Sequence, residues 1–314
     1  MSQSYYSHGK LLLSGEYLVI DGVSALAIPC RFGQGLRVRN TENGQIAWKA
    51  YSDKKECWAH FSFALKEIDR PFLQSPKTTQ EQLLQILSVA KTLNPTFLKN
   101  SQGIQAETHL EFPQDWGLGS SSTLINNIAH WAGVNPYELL EKTMGGSGYD
   151  IACAALKTPI LYHRDLHGFS PKIEDKSLAT AVTAQLVFVH LNQKQKSSSG
   201  IQQYKAQKEK HPDLFKSSCE KIEALSIEMA SCTELARFLD LMKLHESIIS
   251  ELVELPAVQS LHFSDFKGQI KSLGAWGGDF VLAGSKELNS DQIKAYFNSK
   301  GYGTSVSYSE MVLI

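Results

Sequence analysis

The sequence predicts an α+β fold, a two-layer α/β arrangement in two domains. Three observations carry that prediction. β-prone pieces crowd the first third, a Gly/Ser loop joins a strand to a helix near the middle, and helical patterning dominates 201 to about 271 before a strand–helix–strand tail. The polar, turn-rich stretch 164–181 places the boundary near 170, with domains 1–170 and 171–314.

Taken in order, short strands are expected at 10–13, 17–20, 25–29 and 36–39, separated by Gly15, Asp21-Gly22 and Gly33/Gly35. Asn43-Gly44 between 36–41 and 45–51 reads as a hairpin turn. Leu83, Leu84, Ile86, Leu87, Ala90 and Leu93 recur at helical spacing and predict a helix over 79–93. Alternation over 104–112 predicts a strand that Pro113 ends, followed by a loop at 117–122 and a helix at 123–131. Asn135-Pro136 opens a short helix to about Thr143, and the glycines at 145, 146 and 148 precede another at 150–156. Strands are expected at 160–162 and 184–190, and the tail reads strand (275–283), helix (290–298), strand (304–308).

Composition narrows the function classes. With 314 residues the chain can bury a real core, and a formal net charge of −1 leaves no overall field to recruit nucleic acid or an anionic membrane. Cys30, Cys57, Cys153, Cys219 and Cys232 are odd in number and contain no CxxC pair, which favours buried apolar thiols in a reducing compartment. Lys10 and Glu16 interrupt the apolar N-terminal stretch, so neither a signal peptide nor a spanning helix is expected, and a cytoplasmic protein is.

Four segments carry candidate chemistry. Around Pro113–Trp131 a strand runs into Gly117-Leu118-Gly119-Ser120-Ser121-Ser122 and then into a helix. Glycines allow a tight loop whose N–H groups converge, and a helix N-terminus adds unpaired donors, so this geometry suits an anion. The three serines offer hydroxyls to phosphate oxygens or a magnesium ion, although serines also cap helices routinely. Lys10 leads into an apolar strand, with Glu16 six residues on; Gly9-Lys10 is not a Walker-type loop. Asp150 follows a glycine loop at a helix start, as a cap or as a carboxylate aimed into a cleft. Gly274, Gly277 and Gly278 lead into a strand, which is also what a plain turn would look like.

In this order the segments resemble the GHMP kinase superfamily. The resemblance rests on Gly9-Lys10 with Gly15-Glu16-Tyr17, on Pro113 with Gly117-Leu118-Gly119-Ser120-Ser121, on Gly148-Tyr149-Asp150, and on Gly274-Ala275 with Gly277-Gly278. Gly15-Glu16-Tyr17, 146–150 and Gly277-Gly278-Asp279 are similar to phosphomevalonate kinases, with mevalonate kinases as runner-up. The resemblance implies an N-terminal domain like domain 2 of ribosomal protein S5 and a ferredoxin-like C-terminal domain, with ATP and a small-molecule acceptor meeting in a cleft. It implies ATP and Mg²⁺ as cofactors, no nucleic-acid or membrane partner, and leaves a homodimer open. Trp276 stands where the family commonly has glycine, and Ser122 where alanine is usual. A glutamate that helps hold magnesium in mevalonate kinases falls at Leu139 here, beside Glu138 and Glu141.

The implied roles are these. Lys10 and Asp150 are catalytic: the lysine stabilises charge on the transferring group, and the aspartate handles a hydroxyl proton or positions a phosphate acceptor. Pro113, Gly117, Leu118, Gly119, Ser120, Ser121 and Ser122 bind ATP, with Ser121 the metal ligand. Glu16, Tyr17, Ser147, Gly148, Lys196, Ser197, Gly277 and Gly278 bind the acceptor. Two other classes compete. A dinucleotide-binding oxidoreductase would need a parallel βαβ unit at Gly117 and an acidic residue such as Glu138 on the ribose. A non-catalytic metabolite-binding protein would keep the fold without turnover. His163 and His167, bracketing Arg164-Asp165, read as a surface turn.

Overall fold

The computed structural model describes residues 2–70, 75–193, 197–274 and 279–313, the side chains of 197–199 excepted. Two compact units divide the chain: residues 1–9, 32–114 and 118–155 form the first, and 10–31, 115–117 and 156–314 the second. A single boundary near 170 therefore does not describe the molecule. The reason is strand pairing between residues distant in sequence, which gives different parts of one strand to different neighbours.

The first unit contains parts of β1 (Ser2–Leu12) and β2 (Ala25–Asn40), then β3 (Gln45–Tyr51), β4 (Cys57–Ala64), α1 (Thr79–Leu93), β5 (Ile104–Leu110), α2 (Ser120–Ala132), α3 (Pro136–Glu141) and α4 (Tyr149–Ala155). Its strands run in the order β4-β3-β5-β2. β5 pairs antiparallel with β2, from Gln34 opposite Leu110 to Asn40 opposite Ile104, and parallel with β3. It thus lies between the two strands expected to form a hairpin. The hairpin does not form, and the Gly44 N–H bonds the Gln102 carbonyl instead. β5 takes the central place because its alternate residues Ile104, Ala106, Thr108 and Leu110 are all buried.

One face of this sheet packs on α1 and α2. Leu36, Ile46, Trp48 and Ala106 meet Leu83, Ile86 and Leu87 of α1 and Ile125, Ile128 and Ala129 of α2. Burying each of the larger side chains contributes roughly 1.5–3 kcal/mol. α1 occupies the span its periodicity predicts, and it begins with a capping box between Thr78 and Glu81. α3 starts at Pro136 because the Asn135 side chain accepts from the Tyr137 and Glu138 N–H groups.

The second unit begins its sheet with Ala25–Ala27 of β2, which pair with β6 (Ile160–His163); β6 pairs in turn with β7 (Lys172–Asp175). After α5 (Thr180–Thr183) come β8 (Leu186–His190), α6 (Ser197–Lys210), α7 (Pro212–Ser231), α8 (Leu235–Val253), α9 (Val258–His262), β9 (Gln269–Ser272), β10 (Phe280–Gly284), α10 (Ser290–Ser299), β11 (Ser305–Ser307) and α11 (Tyr308–Met311). β8 to β11 form a second sheet in the order β11-β8-β10-β9, all neighbours antiparallel. Val187, Val189 and Val281 pack there on Phe263, Ile293 and Phe297.

Two sequence expectations change here. Residues 18–21 form a 3-10 turn, not a strand, and 25–40 is one strand, not two. Cys30, Cys153 and Cys232 are buried thiols as expected, but Cys57 is exposed and Cys219 half-buried. Among the described residues, no helix is long and apolar enough to cross a membrane.

Candidate functional site

In the first unit the chain leaves β5 and enters α2 at Gly119. That residue is left-handed, with φ 87°, and no side chain caps the helix. The first N–H groups of α2 therefore point out without a capping oxygen, which is the arrangement that binds anions. The three serines differ. Ser121 is exposed and Ser120 half-buried, whereas Ser122 is buried and its hydroxyl donates to the Gly119 carbonyl at 2.9 Å. Ser122 can thus offer a ligand its backbone N–H but not its hydroxyl, a correction to the reading of three equivalent serines.

A buried polar network holds α2 against the strands. Asn127 accepts from the Ser7 hydroxyl at 2.8 Å and donates to the Gln34 carbonyl at 2.9 Å; Asn126 donates to Ser7, and Thr123 donates to the Gln34 side chain. Beside Ser120 and Ser121 opens a cavity of about 620 Å³, counted out to solvent. Trp48, Trp58 and Phe61 give it aromatic walls, and Gln82 of α1 a polar group. A mostly apolar, aromatic-walled cavity beside an uncapped helix N-terminus suits an aromatic base with an anionic tail. Trp58 and Gln82 escaped the sequence reading because nothing in their local pattern separates them from ordinary strand and helix residues.

Pro113 is half-buried just after β5, and Asp150 half-buried in the first turn of α4, which packs on α2. The Asp150 carboxylate accepts from the Ile151 N–H at 3.0 Å. Gly148, buried and left-handed at φ 88°, and half-buried Ser147 lead into that turn.

In the second unit Lys10, half-buried on β1, donates from Nζ to the Gly117 carbonyl at 2.8 Å. Gly117 has φ 64°, and a Cβ there would stand 2.1 Å from Asp279 Oδ2. Only glycine fits on both counts. His190 Nε2 lies 3.2 Å from the Asp115 carbonyl, and the Trp116 ring packs edge-on to Phe280.

Glu16 sits elsewhere than expected. It is fully buried, and so are its partners Lys271 of β9 and His245 of α8. Burial alone would raise its carboxyl, but Lys271 and His245 outweigh that and hold it well below the usual range. Burial and Lys271 push the His245 imidazolium toward its neutral form, so Nε2 either carries the proton and donates to Glu16, 3.0 Å away, or is bare and accepts from the Gly15 N–H at 3.1 Å. Glu16 is thus a pin for the turn that follows, not a group facing a ligand. In that turn the Leu18 N–H bonds the Glu16 carbonyl at 2.7 Å across Tyr17, whose φ of 63° and ψ of −49° define a strained γ-turn. Tyr17 is buried, its ring stacks on Tyr204 at 5.7 Å, and its hydroxyl lies against Gly200.

Lys196, Gly277, Gly278 and Trp276 lie outside the described residues, as does the Ser197 side chain. The oxidoreductase alternative fails on topology. α2 is followed by two more helices, not by a strand parallel to β5, and Glu138 lies within α3. The turn at 165–170 is closed by Asp165, whose carboxylate accepts from the His167 and Ser170 N–H groups.

No protein-family model matches the chain, and no curated protein matches it in sequence. Solved structures do. The Lin0012 protein of Listeria innocua superposes with a TM-score of 0.72 at 17% identity, covering 96% of this chain and 95% of that one. Mevalonate kinase of Methanococcus jannaschii gives 0.71 at 14%, covering 100% and 99%. Phosphomevalonate kinase of Streptococcus pneumoniae, solved with phosphomevalonate and AMPPNP, gives 0.70 at 16%, covering 97% and 99%. Likeness over whole chains at such identities establishes a shared fold.

Proposed function

We propose that this chain, which has the fold of the GHMP kinases, transfers the γ-phosphoryl group of ATP to a small acceptor, phosphomevalonate or mevalonate. The observation that carries the reading is the uncapped start of α2 beside an aromatic cavity within one unit. A base in the cavity would lay its phosphates on the N–H groups at Gly119–Ser122, where the helix end favours negative charge. The kinase neighbours, one solved with an ATP analogue, support ATP as the donor. The four-stranded sheet supports the finer domain assignment as well. Its strands follow one another as β-α-β-β-α-β, the ferredoxin-like pattern, leaving the first unit as the S5 domain 2-like part.

Phosphoryl transfer asks the protein mainly for alignment and charge neutralisation. Lys10 supplies a cation at the Gly117 end of the loop; its ammonium, held by a carbonyl, can turn to phosphate oxygens. Asp150, fixed by its bond from Ile151, positions the acceptor, and with an alcohol acceptor also takes up the hydroxyl proton. Among the described residues no three His, Cys, Asp or Glu side chains converge on a metal position. Mg²⁺ is commonly held by substrate phosphates and water with few protein groups. Ser121, the exposed hydroxyl at the helix start, would hold it, and the ion would neutralise charge on the β- and γ-oxygens.

Purified protein with Mg²⁺ and ATP, offered each acceptor separately, tests the proposal. ADP release with phosphomevalonate makes Asp150 a positioner, and release with mevalonate restores its role toward the hydroxyl proton. Failure to bind nucleotide at all would sink the kinase reading.

A further inference from the structure

The chain enters the second unit for residues 115–117 alone, in the middle of the glycine–serine loop. What holds these three residues is unlike ordinary core packing. His190 ends β8, is 4% exposed, and faces Phe280 across the β8–β10 register. Trp116 packs edge-on to Phe280 at 5.4 Å and lies 6.3 Å from the His190 ring. His190 Nε2 meets the Asp115 carbonyl at 3.2 Å. A carbonyl can only accept, so this nitrogen carries the proton. Two residues on, the Gly117 carbonyl accepts from Lys10.

The peptide plane turns these anchors into aim. Among the described residues there are no cis peptide bonds, and in a trans peptide the N–H points opposite the C=O. A carbonyl of Asp115 held by His190 therefore faces the Trp116 N–H away from His190, and a carbonyl of Gly117 held by Lys10 does the same for the Leu118 N–H. Both oxygens, which would repel a phosphate, are taken up by protein donors. A leucine or phenylalanine could fill the place of His190 in the packing, but neither could turn a peptide.

We propose that His190 is a positioning residue for the loop: by holding the Asp115 carbonyl it presets the loop's peptides for an anionic ligand, with Trp116 as the wedge that seats them. This rests on the reading of the loop as a nucleotide site, and the test separates the two. His190→Phe keeps a ring and deletes the donor; His190→Gln retains a donor. Two quantities are measured on the full chain: hydrogen exchange of the 113–119 segment without ligand, and MgADP affinity by calorimetry. His190→Phe is expected to accelerate exchange in that segment about fivefold or more and weaken MgADP roughly tenfold, the effect of one lost hydrogen bond. Turnover at saturating ATP stays within about twofold, so the defect appears in KM, and His190→Gln recovers most of it. Wild-type exchange in folded His190→Phe overturns the proposal, as does a Gln variant no better than Phe. If wild-type protein binds no MgADP, the nucleotide reading falls, and the exchange comparison alone decides the seating role. Trp116→Leu, which leaves His190 in place, should loosen the same segment and decides the matter if His190→Phe does not fold.

Discussion

At the scale of single residues, Gly117 and Asp279 form a pair whose chemistry is set by space. Asp279 itself adopts a left-handed φ of 44°, and its carboxylate fills the volume that a side chain at 117 would need. Gly117→Ala should therefore cost far more than the roughly 1–2 kcal/mol of a left-handed alanine. Activity or nucleotide binding should fall by about 100-fold or more. Adding Asp279→Gly, which suits its own backbone and removes the collision, should recover part of the loss in the double mutant. No recovery would show that the carboxylate is not the obstacle. The glycine–serine loop and the candidate residues Lys10 and Asp150 could be picked out in the sequence because their spacing is local. Lys271 could not. It sits in an unremarkable strand, and the carboxylate that makes its burial tolerable is 255 residues away.

At the scale of elements, α2 is held by buried amides as well as by its apolar face. Asn126 and Asn127 are fully buried, and they join it to β1 and β2 through Ser7 and Gln34. Asn127→Leu would leave the Gln34 carbonyl and the Ser7 hydroxyl without these partners. A loss of about 2 kcal/mol in unfolding free energy is expected, checked by urea denaturation; an unchanged midpoint would mean that water replaces the amide. Helices were the legible elements. The span of α1 follows from its apolar spacing and its Thr78–Glu81 box. The strands were less so, since pairing partners are a property of the folded chain. Asn43-Gly44 has the composition of a hairpin turn, yet β5 intrudes between the strands it joins. Residues 17–20 look β-prone, but buried Glu16 and the stacked Tyr17 ring force a γ-turn and a 3-10 turn.

At the scale of the whole molecule, one contribution to the pH dependence of stability can be isolated, that of Glu246. Burial pushes the Glu246 carboxyl up to about 8, with Lys271 opposing and Glu16 reinforcing the shift, while Ser272 donates to it and His245 stands beside it on α8. Below the unfolded value of about 4.5 both states are protonated. Between there and about 8 the folded protein keeps a proton that the unfolded chain has lost. The Glu246 contribution to stability therefore falls as pH rises, by up to about 1.4 kcal/mol per unit, and levels off above that range. Glu246→Gln should remove this slope, read as the difference between variant and wild-type urea midpoints from pH 5 to 9; parallel curves would refute it. The general α+β architecture was legible as a change in periodicity along the chain, but the division into units was not, because residues 10–31 belong with 156–314. That arrangement has a consequence for how the protein is made. Ribosomal synthesis delivers residues 10–31 early, yet their partners come late: Leu161 for Leu26, Lys271 for Glu16, and finally Val312 and Leu313 for Cys30 and Pro29. The nascent chain must carry an apolar strand and an unpaired glutamate until those partners are made, so the second unit can close only after residues 312–313 have left the ribosome.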